Sequence, residues 1–238
     1  TGRRPTADAV IHFYILDEEN PHSVLSSIGM ARENARALRP LISTEMWEEL
    51  NKLHLKLHAH DVQHAWGAQP VPFLQDIVND LLLFAGITDS TMRHGEGWHF
   101  IQLGRHIERT HLVSRLLDLH FGKLPDDVPG HVRAPRYFEC ITLLKQCTAF
   151  EAYCKVYTAD VRPAKIAEFL IFDSEFPHSI RFSVDRVQEE LGHLGVGGSS
   201  TRRVQAERLA GRLKASLDYG QVDELLAGDI DGFLRSTQ

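Results

Sequence analysis

An all-α fold, a bundle of helices, is what this sequence predicts. Apolar residues recur at spacings of three and four along most of the chain. The periodic segments have helical lengths and are separated by Pro, Gly, Ser and Asn rather than by hairpin signals. No alternating apolar–polar run of useful length occurs, so strands are not expected.

Taken in order, Asp8 to Leu16 is apolar enough for a helix but lacks clean caps. Asp17-Glu18-Glu19-Asn20-Pro21-His22-Ser23 is a turn, and Ser23 or Asn20 can cap the helix that follows. That helix carries Val24, Ile28, Ala31, Ala35 and Leu38 on one face and ends at Pro40. Arg32, Glu33, Arg36 and Arg39 fall off the face. Ser43 caps a third helix with Met46, Leu50, Leu53 and Leu57 as its seam and Trp47 beside it. Its end is rich in histidine. His54, His58 and Asp61 lie at i, i+4 and i+7, a spacing that can bind a metal and that equally describes polar helix surface; His60 and His64 lie nearby. Gly67 to Pro72 breaks the pattern. A helix then runs through Phe73, Ile77, Leu81 and Phe84 to Gly86, and Gly86 to Gly95 is a loop.

The stretch from Glu96 through Phe121 is the longest uninterrupted helix and organises the rest. Trp98, Ile101, Leu112, Leu116 and Leu119 share one side, and Phe100, Leu103, Ile107, Leu117 and Phe121 the other. Apolar residues on two sides predict a helix buried among neighbours. Arg105 and Glu108 fall inside the first stripe at i,i+3, where they can reach each other. They are read either as a structural ion pair or as a preorganised charged site. Lys123 to Pro135, with three prolines, is a linker. Arg136 to Tyr157 reads as one helix. Pro163 opens a short helix ending near Phe172, Asp173 to Ser179 is a turn, and Ile180, Val184, Val187 and Leu191 mark the next helix. Gly195-Val196-Gly197-Gly198-Ser199 is a hinge. Val204, Leu209, Leu213 and Leu217 define a penultimate helix, and Val222 to Leu234 the last.

Composition narrows function by exclusion. The 238 residues are 43% hydrophobic and 24% charged with a net charge of −6, an ordinary soluble composition. No basic face suggests nucleic acid, and no apolar run suggests a membrane span; Leu81 to Gly86 is too short. Cys140, Cys147 and Cys154, seven apart on one helical face, are too far apart to bridge and read as reduced core residues of a cytoplasmic protein. No Gly-x-Ser-x-Gly, P-loop or Cys-x-x-Cys is present, and no cofactor is expected. Glu96-x-x-His99 and Glu108-x-x-His111 each match the Glu-x-x-His of di-iron bundles. Twelve residues apart on one helix, they stand roughly 18 Å apart, which excludes a shared di-metal site and leaves a single-metal reading. Any catalysis falls to acid–base work by Glu108 or Glu33 beside arginines. Arginine also grips carboxylates two-pronged.

The turn at Asp17–Ser23 recurs at Asp173–Ser179, with Pro21 answering Pro177 at an offset of 156 residues. The register persists without gaps: Val24 matches Ile180, Glu33 matches Glu189, Ser43 matches Ser199 and Leu57 matches Leu213. The expectation is two tandem copies of one multi-helix unit, residues 1–94 and 95–238, packed as one compact domain. Glu108 has no counterpart within the first copy, so the natural protein is expected to extend about fifty residues before Thr1.

These residues resemble the alpha-E family, a helical domain named for a Glu-Arg pair. The segments that carry the resemblance are Glu96-Gly97-Trp98, Leu103-Gly104-Arg105 with Glu108-Arg109, Asn20-Pro21 with Ser23, and Ala31-Arg32-Glu33-Asn34-Ala35-Arg36. Ser43-x-Glu45-x-Trp47-Glu48-x-Leu50-Asn51 and Phe169-Leu170 with Phe176-Pro177-x-Ser179 complete it. His178 stands where the family suggests arginine. The first unit lacks its Glu-Arg helix. The resemblance implies association with ATP-grasp-type ligases, transglutaminase-like proteins and an amino-terminal-nucleophile peptidase, hence a peptide synthesis or modification system. It implies a helical accessory or binding component, with Arg32, Glu33, Arg36, Glu96, Arg105, Glu108 and Arg109 as binding residues and a peptide as ligand. The alternatives are an enzyme of that pathway with Glu108 as acid/base, or a His/Glu metal-binding bundle. A homo-oligomer is a further option.

Overall fold

The computed structural model describes residues 6–59, 67, 69–121, 133–158, 160–194, 201–220, 232 and 234, with residues 133–136 as backbone alone. All of the regular structure among the described residues is helical. The chain divides into two compact units, Thr1–His94 and Gly95–Gln238.

The first unit contains α1 (Ala7–Ile15), α2 (Val24–Ala37), a 3₁₀ turn (Arg39–Leu41), α3 (Thr44–Leu57) and α4 (Pro70–Thr91). Side-chain hydroxyls start three of these helices. Thr6 accepts from the Ala9 amide, Ser23 from Ser26 and Ser43 from Met46, each satisfying a backbone donor that the first turn leaves open. α1 therefore has a cap that its sequence did not advertise. Leu25, Ile28, Leu50, Leu53, Leu57, Phe73 and Ile77 form the core. Of the expected α2 face only Ile28 is fully buried, and Leu38 is 51% exposed.

α4 departs from expectation. Gly86 does not end it, and the helix continues to Thr91. Past the glycine, the Thr88 and Thr91 hydroxyls donate back to the carbonyls of Phe84 and Ile87, and one isolated glycine costs a helix only about 1 kcal/mol. At 22 residues this helix is long and apolar enough to cross a membrane by length and composition alone, which corrects the expectation drawn from Leu81–Gly86. Within the unit it packs as a bundle helix. Phe73 and Ile77 enter the core, and Asp80 holds Lys56 at 2.8 Å.

The second unit contains α5 (Glu96–Phe121), α6 (Arg133–Gln146), α7 (Phe150–Tyr157), α8 (Pro163–Phe172), α9 (Ile180–His193) and α10 (Thr201–Tyr219). Its core is built from Leu117, Leu143, Leu144, Tyr153, Ile166, Phe169, Leu170, Ile171 and Ile180, each no more than 2% exposed. The single helix expected over Arg136–Tyr157 is two. Thr148 adopts the left-handed conformation at φ 51°, and the amides of Thr148 and Ala149 fold back on the carbonyls of Lys145 and Leu144, a helix-ending pattern. The three cysteines therefore do not share a helix, and burial pushes the Cys147 thiol up to about 11. The last predicted helix lies outside the described residues except Gly232 and Leu234, as do the hinge at 195–199 and residues 123–132 of the linker.

The Asp17–Ser23 and Asp173–Ser179 turns are built alike. In each the aspartate Oδ1 accepts an amide two residues on, from Glu19 and Glu175. In each the serine caps the following helix, and its amide donates to the carbonyl three residues back.

Candidate functional site

α5 lies against α9, and the face it buries is not the one its apolar pattern predicts. The buried residues are Gln102, His106, Thr110, Val113, Ser114 and Leu117, spaced by three and four so that they form one stripe. Leu112 and Leu119 of the expected stripe are exposed, as are Phe100 and Ile107 of the other. The packed face is polar over its first three turns and apolar only where it reaches the core. A search for apolar periodicity passes over such a stripe; the series Gln102, His106, Thr110, Ser114 at intervals of four was the available signal.

Arg105 and Glu108 do not pair. Glu108 is exposed, as is Glu96 in the first turn. Arg105 flanks the buried stripe and donates to Gln102 Oε1 at 3.2 Å. Arg109, one turn on, is half-buried and donates to the carbonyl of Pro177 at 3.0 Å, tying the Glu-Arg helix to the turn that starts α9. Neither arginine has a carboxylate partner among the described residues. Burial, and then the charge of Arg105, lower the affinity of Arg109 for its proton. His178 lies beside Arg109, and burial and that arginine both lower its pKa.

Opposite them, α9 presents Phe182, Ser183, Arg186 and Glu190. His99 Nδ1 meets Glu190 Oε2 at 2.6 Å, and the carboxylate is buried. The His99 ring also stacks on His193 at 4.7 Å, so His99 is bound into the interface rather than joined with Glu96. One turn along, the His106 ring sits 6.0 Å from that of Phe182. His106 is held neutral, its pKa lowered to about 4 by burial and then by Arg109, Arg105 and Arg186. Among the described residues, three polar atoms in this seam are buried without a hydrogen-bond partner: Gln102 Nε2, His106 Nδ1 and Ser183 Oγ. Buried polar groups are seldom left so. Sequence reasoning missed Gln102, His106, Ser183 and Glu190.

The other candidates lie in the first unit. Arg32 and Arg36 both hold Glu33, at 2.8 and 2.7 Å, with Glu33 half-exposed. The hydrogen bond from Arg36, with the charges of both arginines, keeps the Glu33 carboxyl below its usual range. Arg32 Nε also donates to Asn51 at 2.8 Å and its guanidinium lies 5.6 Å from the Trp47 ring centre. The Ala-Arg-Glu-Asn-Ala-Arg segment is thus fastened to the Trp-Glu-x-Leu-Asn segment. These arginines are neutralised or stacked, unlike Arg105 and Arg109. At the histidine-rich end, the His54 and His58 rings lie 4.0 Å apart and tilted by 37°, and His58 Nδ1 lies 2.8 Å from the His54 carbonyl oxygen. Asp61, the third member of the suggested metal set, lies outside the described residues with His60 and His64. Among the described residues no three His, Cys, Asp or Glu side chains are grouped to hold a metal ion.

An all-helical unit whose Glu-Arg helix packs on a capped helix through a polar seam defines a class, and comparison with known proteins agrees. The family model Alpha-E, a predicted alpha-helical domain with a conserved ER motif, matches residues 1–238. The chain belongs to the Alpha-E family. It is also similar to uncharacterized proteins of Mycobacterium bovis and Mycobacterium tuberculosis, each 23% identical over 224 residues. The match covers 91% of this chain and 24% of theirs, so the chain spans about a quarter of the length of these relatives. No solved structure matches it.

Proposed function

We propose that this chain is a non-catalytic helical binding component of a peptide synthesis or modification system, working in the cytoplasm with an ATP-grasp-type ligase or a transglutaminase-like protein. One observation carries the binding role: among the described residues Arg105 and Arg109 have no carboxylate partner, and beside them Gln102 Nε2, His106 Nδ1 and Ser183 Oγ are buried with no hydrogen-bond partner. Two unpaired guanidinium groups at one spot are costly unless something anionic joins them. Glu108 is exposed and has no basic partner among the described residues, so it is not enclosed beside a group it could exchange a proton with, and the enzyme reading finds no support there. The partner class comes from the family resemblance. Arg32 fastens α2 to α3 through Asn51 and Trp47, Glu33 and Arg36 pair within α2 beside it, and Glu96 lies in the first turn of α5, outside the seam.

The same reading includes a duplicated unit. An offset of 156 residues carries the start of α1 onto that of α8 and both ends of α2 onto those of α9, with like turns between them.

The test is co-purification. The tagged chain, expressed with an ATP-grasp-type ligase encoded beside it, should retain that ligase. Replacing Arg105 and Arg109 together by glutamine should weaken retention, while Glu108→Gln should not. A folded wild-type chain that retains no such partner would contradict the accessory role.

A further inference from the structure

The seam between α5 and α9 is polar, buried and short of negative charge, and these three facts together specify a ligand. Arg105 and Arg109 lie one turn apart on the same flank of the buried stripe, about 6 Å along the axis. Neither meets a carboxylate among the described residues. Arg186, across from them on α9, is already paired with Glu189 at 2.5 Å, and Glu190 with His99. Among the described residues these two acids of the seam are therefore taken, and neither is left over for Arg105 or Arg109. Gln102 accepts from Arg105 through Oε1, which leaves the amide nitrogen as an unused donor. Ser183 Oγ is an unused hydroxyl on the facing helix, fully buried. Gln102, at 5% exposed, and His106, at 7%, are as enclosed as the core.

We propose that this seam is a carboxylate-receiving site: Arg105 and Arg109 grip the anion, and the Gln102 amide and Ser183 hydroxyl donate to its oxygens. The assignment of a carboxylate rests on the binding reading above, since an acidic side chain or a C-terminus is the anion that a peptide supplies. Guanidinium groups match the planar carboxylate two-pronged. Neutral His106, buried in the same stripe and 6.0 Å from the Phe182 ring, adds no competing charge. A ligand here relieves two strains at once, the mutual repulsion of Arg105 and Arg109 and the unmet donors behind them. Waters alone satisfy the donors and leave the cations uncompensated.

Isothermal titration of the whole chain at pH 7 with N-acetylglutamate, and separately with inorganic phosphate, tests this. The expected result is saturable binding of N-acetylglutamate that weakens about tenfold or more in Arg105→Gln/Arg109→Gln. It should also weaken in Gln102→Leu, with the circular dichroism of both variants unchanged. If a variant unfolds, Arg105→Lys/Arg109→Lys keeps the charge, and retained but weaker binding is the expected result. Absence of binding by the wild type, binding of phosphate alone, or equal binding by wild type and the glutamine variant would overturn the proposal. Carboxylate binding without any ligase on co-purification would leave the site standing and remove the accessory role; the reverse would remove the site alone.

Discussion

The burial of neutral His106 makes a quantitative demand on stability. Its folded pKa is about 4 against an ordinary value of 6.5, with burial first and the three arginines after it as the causes. Between those values the unfolded chain binds more protons than the folded one, so stability falls as pH drops through this window. It is fully retained above about pH 7 and no further loss from this ring occurs below about pH 4. The whole window corresponds to about 3 kcal/mol, and about 2 kcal/mol of it is gone by pH 5. Both figures are upper bounds, because a shift of the helices that admits water softens the penalty. Urea unfolding at pH 7, 6 and 5, in buffers free of carboxylate and phosphate, measures the loss for the wild type and for His106→Gln. Glutamine offers a donor and an acceptor but does not titrate. The variant should lose about 2 kcal/mol less than the wild type between pH 7 and 5. His178 and His54, whose pKa values are also lowered chiefly by burial, act in both proteins and cancel in the comparison. Equal losses in the two proteins would refute the claim that His106 is enclosed and neutral.

Three substitutions test other parts of the account by the same unfolding measurement. Ser179→Ala removes a fully buried hydroxyl that caps α9 at the Phe182 amide and donates to the Asp173 carbonyl; it should cost about 1–2 kcal/mol. Thr148→Gly should raise stability by up to about 1 kcal/mol, because a left-handed threonine is strained and glycine is not, the gain being trimmed by the freer unfolded chain. Glu108→Gln should change stability by less than about 0.5 kcal/mol, since its exposed carboxylate has no partner among the described residues; a loss of several times that would restore the structural ion pair.

How far the sequence revealed the structure depends on what each signal measures. Ser23, Ser43, Ser179 and Pro163 start helices because a hydroxyl acceptor or a missing amide suits a first turn whatever the tertiary context, and these starts were legible. The end of α4 was not, because Gly86 is only a weak breaker and tertiary packing carried the helix on to Thr91. The break after Gln146 was hidden because the chain turns on a left-handed threonine, a residue that rarely advertises that conformation. The elements that carry the candidate site were half legible. The Glu-Arg motif named the helix, and Arg105 and Arg109 do flank the interface. The buried face was misread because periodicity analysis equates burial with apolarity, whereas α5 buries Gln102, His106 and Thr110. Glu108 followed that misreading: in a supposed apolar stripe it needed a partner, and on the exposed side it needs none. Arg109 bonds to the carbonyl of Pro177, sixty-eight residues away, a contact no local pattern encodes.

Arg105 and Arg109 flank an enclosed seam with unmet donors among the described residues, which the proposed anion would complete. Side-chain ¹⁵N NMR of the guanidinium Nε–H groups reads this directly at pH 7. Two resonances, assigned by their loss in Arg105→Gln and Arg109→Gln, should shift and gain protection from solvent exchange as N-acetylglutamate is added, while those of Arg32 and Arg36 stay in place. Resonances of Arg105 and Arg109 that exchange as freely as those of surface arginines and do not move would contradict it.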